Sequence, residues 1–243
     1  MTPPTLIPGV MNFRDTGGLP AGSATSRPGV LYRSGNLARV TPEGEEAFAA
    51  LGLRRIVDLR DDEEVVRDPS RAGSVPISRF PLFLGSVASF FQADQSLSGM
   101  YRAMIDDAAD RVVGAVRAIL EVQPVLVHCT VGKDRTGVTV ALVLTAAGVD
   151  EDAVVADYAR TETLLPAERN RQVLARLGAL YPEMVHLEEL TTRSPAEVMR
   201  GFLADVRTRF GSAANFLRSH GMTDEEIAGA RDVLIGSDRS TIL

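Results

Sequence analysis

The residues Val125 to His128 form a short apolar run that enters a cysteine directly, and after a brief glycine-bearing turn the chain is apolar on every side from Thr136 to Ala147. A run this short without alternation fits a strand buried on both faces. A helix with no polar stripe has to lie inside the molecule, and Gly148 stands where it would end. Strand, loop and buried helix in that order predict an α/β fold around a mostly parallel sheet. The chain has 243 residues, 45% of them hydrophobic and 24% charged, enough to fill one domain spanning residues 1–243.

The remaining elements follow from their boundaries. A strand is expected at Val30 to Arg33, after a beginning rich in Pro and Gly. Thr41 caps a helix that has Pro42 at its first position and Gly52 near its end. Arg55 to Leu59 reads as a second buried strand with Asp58 near its carboxyl end, and Ile77 to Leu82 as a third, followed by a loop carrying Phe83, Phe90 and Phe91. From Ser98 to Val122 apolar residues recur at spacings of three and four, which predicts one long amphipathic helix stopped by Pro124. The last hundred residues read as helices, with capping boxes at Ser194 to Glu197 and Thr223 to Glu226, the latter with Met222 and Ile227 placed as a hydrophobic staple. The expected architecture is a central, mostly parallel, twisted sheet flanked by helices, with a helical C-terminal half; segments within 83–100 and 160–195 are candidates for a lid or specificity wall and read equally well as core.

Composition excludes several functions. With 26 basic and 32 acidic side chains the formal charge is −6, and no basic run exists to neutralise nucleic acid or anionic lipid. Cys129 is the lone cysteine, so no intrachain disulfide forms, and with three histidines, His128, His186 and His220, it offers no zinc spacing. No metal or cofactor is expected. No leader-like segment or apolar run of about 20 residues is present, which predicts a soluble, cytoplasmic protein without integral membrane association. Lys133 is the single lysine of the chain, four positions after the single cysteine. Both scarce residues point to one loop.

That loop reads His128-Cys129-Thr130-Val131-Gly132-Lys133-Asp134-Arg135-Thr136-Gly137. If Arg135 opens the buried helix, the backbone N–H groups of 130–135 converge at a helix N-terminus and form a cradle for an anion, with Gly132 allowing the tight path. The same field favours the thiolate of Cys129, making it a nucleophile. Arg135 can grip two phosphate oxygens with its planar fork, and Thr136 can offer its hydroxyl to the sulfur.

The sequence of this loop resembles the signature of cysteine-dependent tyrosine, dual-specificity and phosphoinositide phosphatases. Its Gly-Lys-Asp-Arg-Thr-Gly form is similar to that of an atypical bacterial group of tyrosine and lipid phosphatases. Asn12-Phe13-Arg14-Asp15 with Gly17-Gly18, and Leu31-Tyr32-Arg33-Ser34 with Val57-Asp58-Leu59-Arg60, extend the likeness from about residue 8 to residue 235. The resemblance implies Cys129 as nucleophile through a phosphocysteine, Arg135 as phosphate binder, and a phosphorylated protein or phosphoinositide as substrate, with no metal. A pseudophosphatase that only binds phosphate uses the same groups. A rhodanese-like sulfurtransferase also holds a cysteine in a cradle, but lacks the Arg-Thr-Gly exit.

Tyrosine phosphatases usually take their general acid from a Trp-Pro-Asp loop, and this chain has no tryptophan. Asp134 is the first replacement and Asp58 the second, although Asp58 suits better a partner for a core arginine such as Arg14 or Arg60. Lys133 is expected to add charge for a polyanionic head group. Adjacent strand residues face opposite ways, so His128 should brace the loop from beneath and leave the sulfur alone. Arg14 and Asp15 are expected to brace the sheet or the underside of the loop, and His186 and His220 to be structural.

Overall fold

The computed structural model describes residues 7–82 and 95–235. Its main sheet has the order β1-β4-β7-β5-β6, where β1 is Arg14–Asp15, β4 Leu31–Ser34, β5 Arg55–Asp58, β6 Ile77–Arg79 and β7 Val125–His128. The short β1 is antiparallel to β4, and the other four strands are parallel. A separate hairpin pairs β2, Pro20–Ala21, with β3, Ala24–Thr25. The expected mostly parallel α/β sheet is therefore present: β4, β5, β6 and β7 lie within a few residues of their sequence assignments, while β1 and the hairpin β2–β3 were not anticipated.

Side-chain alternation explains why β7 carries no polar residue before its end. Val125 and Val127 enter one hydrophobic cluster with Val57, while Leu126 enters a second with Ile56 and Phe48. Both faces are dry. On the Phe48 side lies α1, Pro42–Ala50, capped by the Thr41 hydroxyl as expected. On the other side α5, Asp134–Ala147, is ringed by α3 (Leu97–Asp107), α4 (Ala109–Glu121), α6 (Glu151–Ala159), α11 (Ala213–Ser219) and α12 (Asp224–Leu234). That ring accounts for its lack of a polar stripe. It ends at Gly148, whose φ of 96° is the left-handed cap the sequence anticipates.

Two local expectations are corrected. The single helix over 98–122 is two, because Ala108 leaves helical backbone at φ −132° and ψ 24°. Both halves bury their apolar faces in one cluster, so the three-and-four spacing continues across a bend that no Pro or Gly marks. The capping box at Ser194 does not form. α10, Ala196–Phe210, has no side-chain cap, since the Ser194 hydroxyl accepts from Glu162 N and donates to Ala159 O, tying this turn to α6 and to α7, Thr161–Leu164. The box at Thr223 forms in full, and Met222 and Ile227 both pack into the main cluster.

Phe83, Phe90 and Phe91 lie outside the described residues. The 160–195 segment contains α7, then α8 (Ala167–Leu180) and α9 (Leu187–Thr191). No residue of α8 is buried, so this helix is a wall rather than core. Among the described residues no helix is long and apolar enough to cross a membrane.

Candidate active site

Parallel register brings three strand ends to one edge. Ser34 of β4 and Asp58 of β5 both stand beside His128 of β7, and the loops that follow meet above them. The loop 129–133 is held from behind by its carbonyls. Cys129 O meets His128 Nδ1 at 3.2 Å, Thr130 O accepts from Asn36 N at 3.1 Å, and Val131 O and Gly132 O accept from Asn12 Nδ2 at 3.1 and 2.8 Å. Arg33 Nη2 donates to Gly132 O at 3.0 Å. The carbonyls are engaged at the back, and no side chain caps the start of α5. Gly132 N points at Cys129 Sγ, 3.2 Å away. Gly132 has φ 73°, and a Cβ there would stand 2.3 Å from Ser34 O, so only glycine permits this path.

The cleft is a cavity of about 210 Å³ whose floor is Cys129, Thr130, Val131 and Arg135. Met100 of α3, Val173 and Leu177 of α8 and Leu190 of α9 give it an apolar wall, and Arg67 and Arg169 add charge. The cavity lining thus includes Arg169, Val173, Leu177, Leu190 and Thr191 from the 160–195 segment and Met100 from the 83–100 segment.

Arg135 is buried, and the fork expected to grip two phosphate oxygens is held here by a residue the sequence reading missed. Nη1 and Nη2 donate to Glu64 Oε2 and Oε1 at 2.5 and 2.8 Å, and Thr130 Oγ1 donates to the same carboxylate. Burial alone would raise the Glu64 pKa; the bonds and charge of Arg135 reverse that and hold it well below the ordinary carboxylate range. Burial likewise opposes the charge on Arg135, but Glu64 and the neighbouring anions keep its pKa above the usual value. Glu64 also closes a capping box with Asp61 at the start of α2, Asp62–Arg67. Glu64 closes the acidic run Asp61-Asp62-Glu63-Glu64, and nothing in one sequence says which of the four turns inward.

Other assignments fall as follows. Asp134 Oδ1 accepts from Tyr101 OH at 2.8 Å, and the side chain borders the cavity. Asp58 is bonded by Arg60 through Nε and Nη2 at 2.9 and 2.7 Å, which makes it the arginine partner anticipated, with Arg60 and not Arg14. Burial works against the charged form, yet Arg60 and the nearby His128 leave its pKa below normal. His128 Nε2 lies 3.6 Å from Asp58, and burial lowers the pKa of the imidazole despite that carboxylate. It sits beneath the loop, as expected. Arg14 pairs with Asp157 at 2.7 Å, Arg33 joins the same carboxylate at 2.8 Å, and Asp15 accepts from Gly17 N and Gly29 N. His220 packs on Phe216, and His186 stands 3.5 Å from Glu189.

Two expectations are overturned. Thr136 does not reach the sulfur: its hydroxyl is fully buried with no hydrogen-bond partner among the described residues. Lys133 does not extend towards a head group. It is 1% exposed, and its ammonium donates to Glu189 O at 3.1 Å and Arg193 O at 2.8 Å and lies 3.1 Å from Asp134 Oδ1. An ammonium buried among carbonyls keeps its charge satisfied only by holding them, so this lysine fastens α9 to the loop.

A lone sulfur before a helix N-terminus, with a buried arginine in the first turn of that helix, defines the class of cysteine-dependent phosphatases. The chain belongs to the tyrosine phosphatase family, whose model matches residues 5–236. It is 32% identical to the triple specificity protein phosphatase PtpB of Mycobacterium tuberculosis, across 95% of this chain and 98% of that one. It is 28% identical to a tyrosine-protein phosphatase of Nostoc commune, across 86% of this chain and 75% of the relative.

Proposed function

We propose that this phosphatase removes phosphate from phosphotyrosine, and also from phosphoserine, phosphothreonine and phosphoinositides, through a phosphocysteine intermediate. Cys129 Sγ attacks phosphorus in line with the leaving oxygen. As the S–P bond forms and the P–O bond breaks, the amides of 130–135 and the Arg135 guanidinium hold the charge on the non-bridging oxygens. Asp134 gives its proton to the leaving oxygen and then takes one from the water that attacks the phosphocysteine, returning the S–P electrons to sulfur.

The observation that carries the reading is the back of the loop, where every carbonyl from Cys129 to Gly132 is engaged away from the cleft beside the sulfur. The apolar wall of Met100, Val173 and Leu177 suits an aromatic ring or a lipid's glycerol end. With Lys133 spent on α9, extra charge for a polyanionic head group comes from Arg67 and Arg169, which border the same cavity. The test is hydrolysis of a phosphotyrosyl peptide, a phosphoseryl peptide and a phosphoinositide by the wild type, Cys129→Ser and Arg169→Met. All three substrates should be turned over by the wild type and none by Cys129→Ser, with Arg169→Met weakening the lipid most. Wild type that binds phosphate but turns over nothing would make the protein a binding module.

A further inference from the structure

The carboxylate of Asp134 does not swing freely in the cleft. Tyr101 OH donates to its Oδ1 at 2.8 Å, and the Lys133 ammonium lies 3.1 Å from that same oxygen. Behind Tyr101 stands a second phenol, Tyr158 of α6, with the two hydroxyls 2.6 Å apart. Both rings are buried and set edge to face at 88°, and Tyr101 meets Phe202 in the same manner. Tyr158 lies flush against α5 at Gly137, where a Cβ would come within 3.0 Å of the ring. Phenylalanine would fill the same space at both positions, so packing leaves the two hydroxyls unexplained.

The reason lies in counting protons. Burial, together with the charge of Asp134, raises the pKa of both phenols, so each hydroxyl keeps its one hydrogen. When Asp134 is anionic the chain runs one way, with Tyr158 donating to Tyr101 and Tyr101 to Oδ1. A neutral Asp134 could carry its proton on either oxygen. On Oδ1 that hydrogen would confront the Lys133 ammonium, which has only hydrogens to offer. On Oδ2 it meets neither donor.

We propose that Tyr101, oriented by Tyr158, is a positioning residue that fills Oδ1 jointly with Lys133 and so reserves Oδ2 for the proton exchanged with substrate and water. The inference rests on Asp134 being the acid and extends that reading to one oxygen and its support. In the first step the Oδ2 proton goes to the leaving oxygen as the P–O bond breaks; in the second, Oδ2 receives a proton of the attacking water.

The experiment compares kcat/KM, which reports the step that expels the leaving group, for 4-nitrophenyl phosphate and an alkyl phosphate. The nitrophenolate leaves without a proton; the alkoxide needs one. Tyr101→Phe should lose about tenfold or more on the alkyl ester and less than about twofold on the nitrophenyl ester, part of the 10²- to 10⁴-fold typical of a general acid. Tyr158→Phe, which does not touch the carboxylate, should show the same preference more weakly, and urea midpoints of both report folding. Asp134→Asn run alongside separates the two claims. If it discriminates between leaving groups while Tyr101→Phe slows both esters equally or neither, the positioning role is wrong. If Asp134→Asn itself does not discriminate, the acid reading fails and the inference with it.

Discussion

At Arg135 the site holds a guanidinium whose partner, Glu64, comes from a different element, the helix α2. Breaking a buried pair by removing one charge costs about 3–5 kcal/mol, because the other is left uncompensated. Glu64→Gln should therefore lower stability by about 3 kcal/mol and reduce turnover, since nothing then fixes the plane of the fork. Acid titration reads the same interaction. Glu64 has a folded pKa below its ordinary 4.5, so its contribution is present above that value and is lost as pH falls beneath it. Urea midpoints measured from pH 7 to pH 3 should fall less steeply in Glu64→Gln than in wild type; parallel curves would separate Glu64 from this acid limb. Cys129, Asp134 and Arg135 could be located from sequence because loop order alone puts them together. Glu64, Asp157 and Tyr101 could not, because each acts on the loop from a distant segment, Asp157 through Arg33, and their contacts exist only after folding.

Between elements the sequence was most reliable where a side chain signals to its own backbone. Thr41 and Thr223 cap as expected, and Gly148 ends α5. It was least reliable where packing chose the outcome, as at the bend of Ala108 and at Ser194, whose hydroxyl bonds across to α6 and α7. Lys133 belongs to the same group. A residue type suited to polyanions lies in the cradle, yet its ammonium is used to tie down α9. Lys133→Met should free two backbone carbonyls of the wall, at a cost of about 1–3 kcal/mol. The expected result is hydrogen exchange at Leu187–Thr191 faster by about tenfold. Unchanged exchange there, with a loss confined to phosphoinositide hydrolysis, would restore the head-group role.

Across the whole molecule, Asp157 of α6 is the point where distant segments meet. It receives Arg14 from the N-terminal strand and Arg33 from β4, and those arginines and Asn12 lead directly to the carbonyl side of the loop. Burial disfavours the Asp157 charge, but the two guanidinium groups keep its pKa below normal. Asp157→Asn strands two buried cations against one neutral amide. A loss of about 3–5 kcal/mol, or a Tm lower by about 10 °C, should follow, with catalysis impaired in whatever remains folded. A change under about 1 °C would mean that the cluster does not support the loop.

All of these contacts serve one sulfur, and rapid acid quench during a single turnover tests its role most directly. A phosphotyrosyl substrate mixed with excess enzyme, stopped within the first turnover and digested, should leave the mass of one phosphoryl group on the peptide containing Cys129, and none in Cys129→Ser. Turnover with the group found on another residue, or on none while Cys129→Ser stays active, would contradict the account.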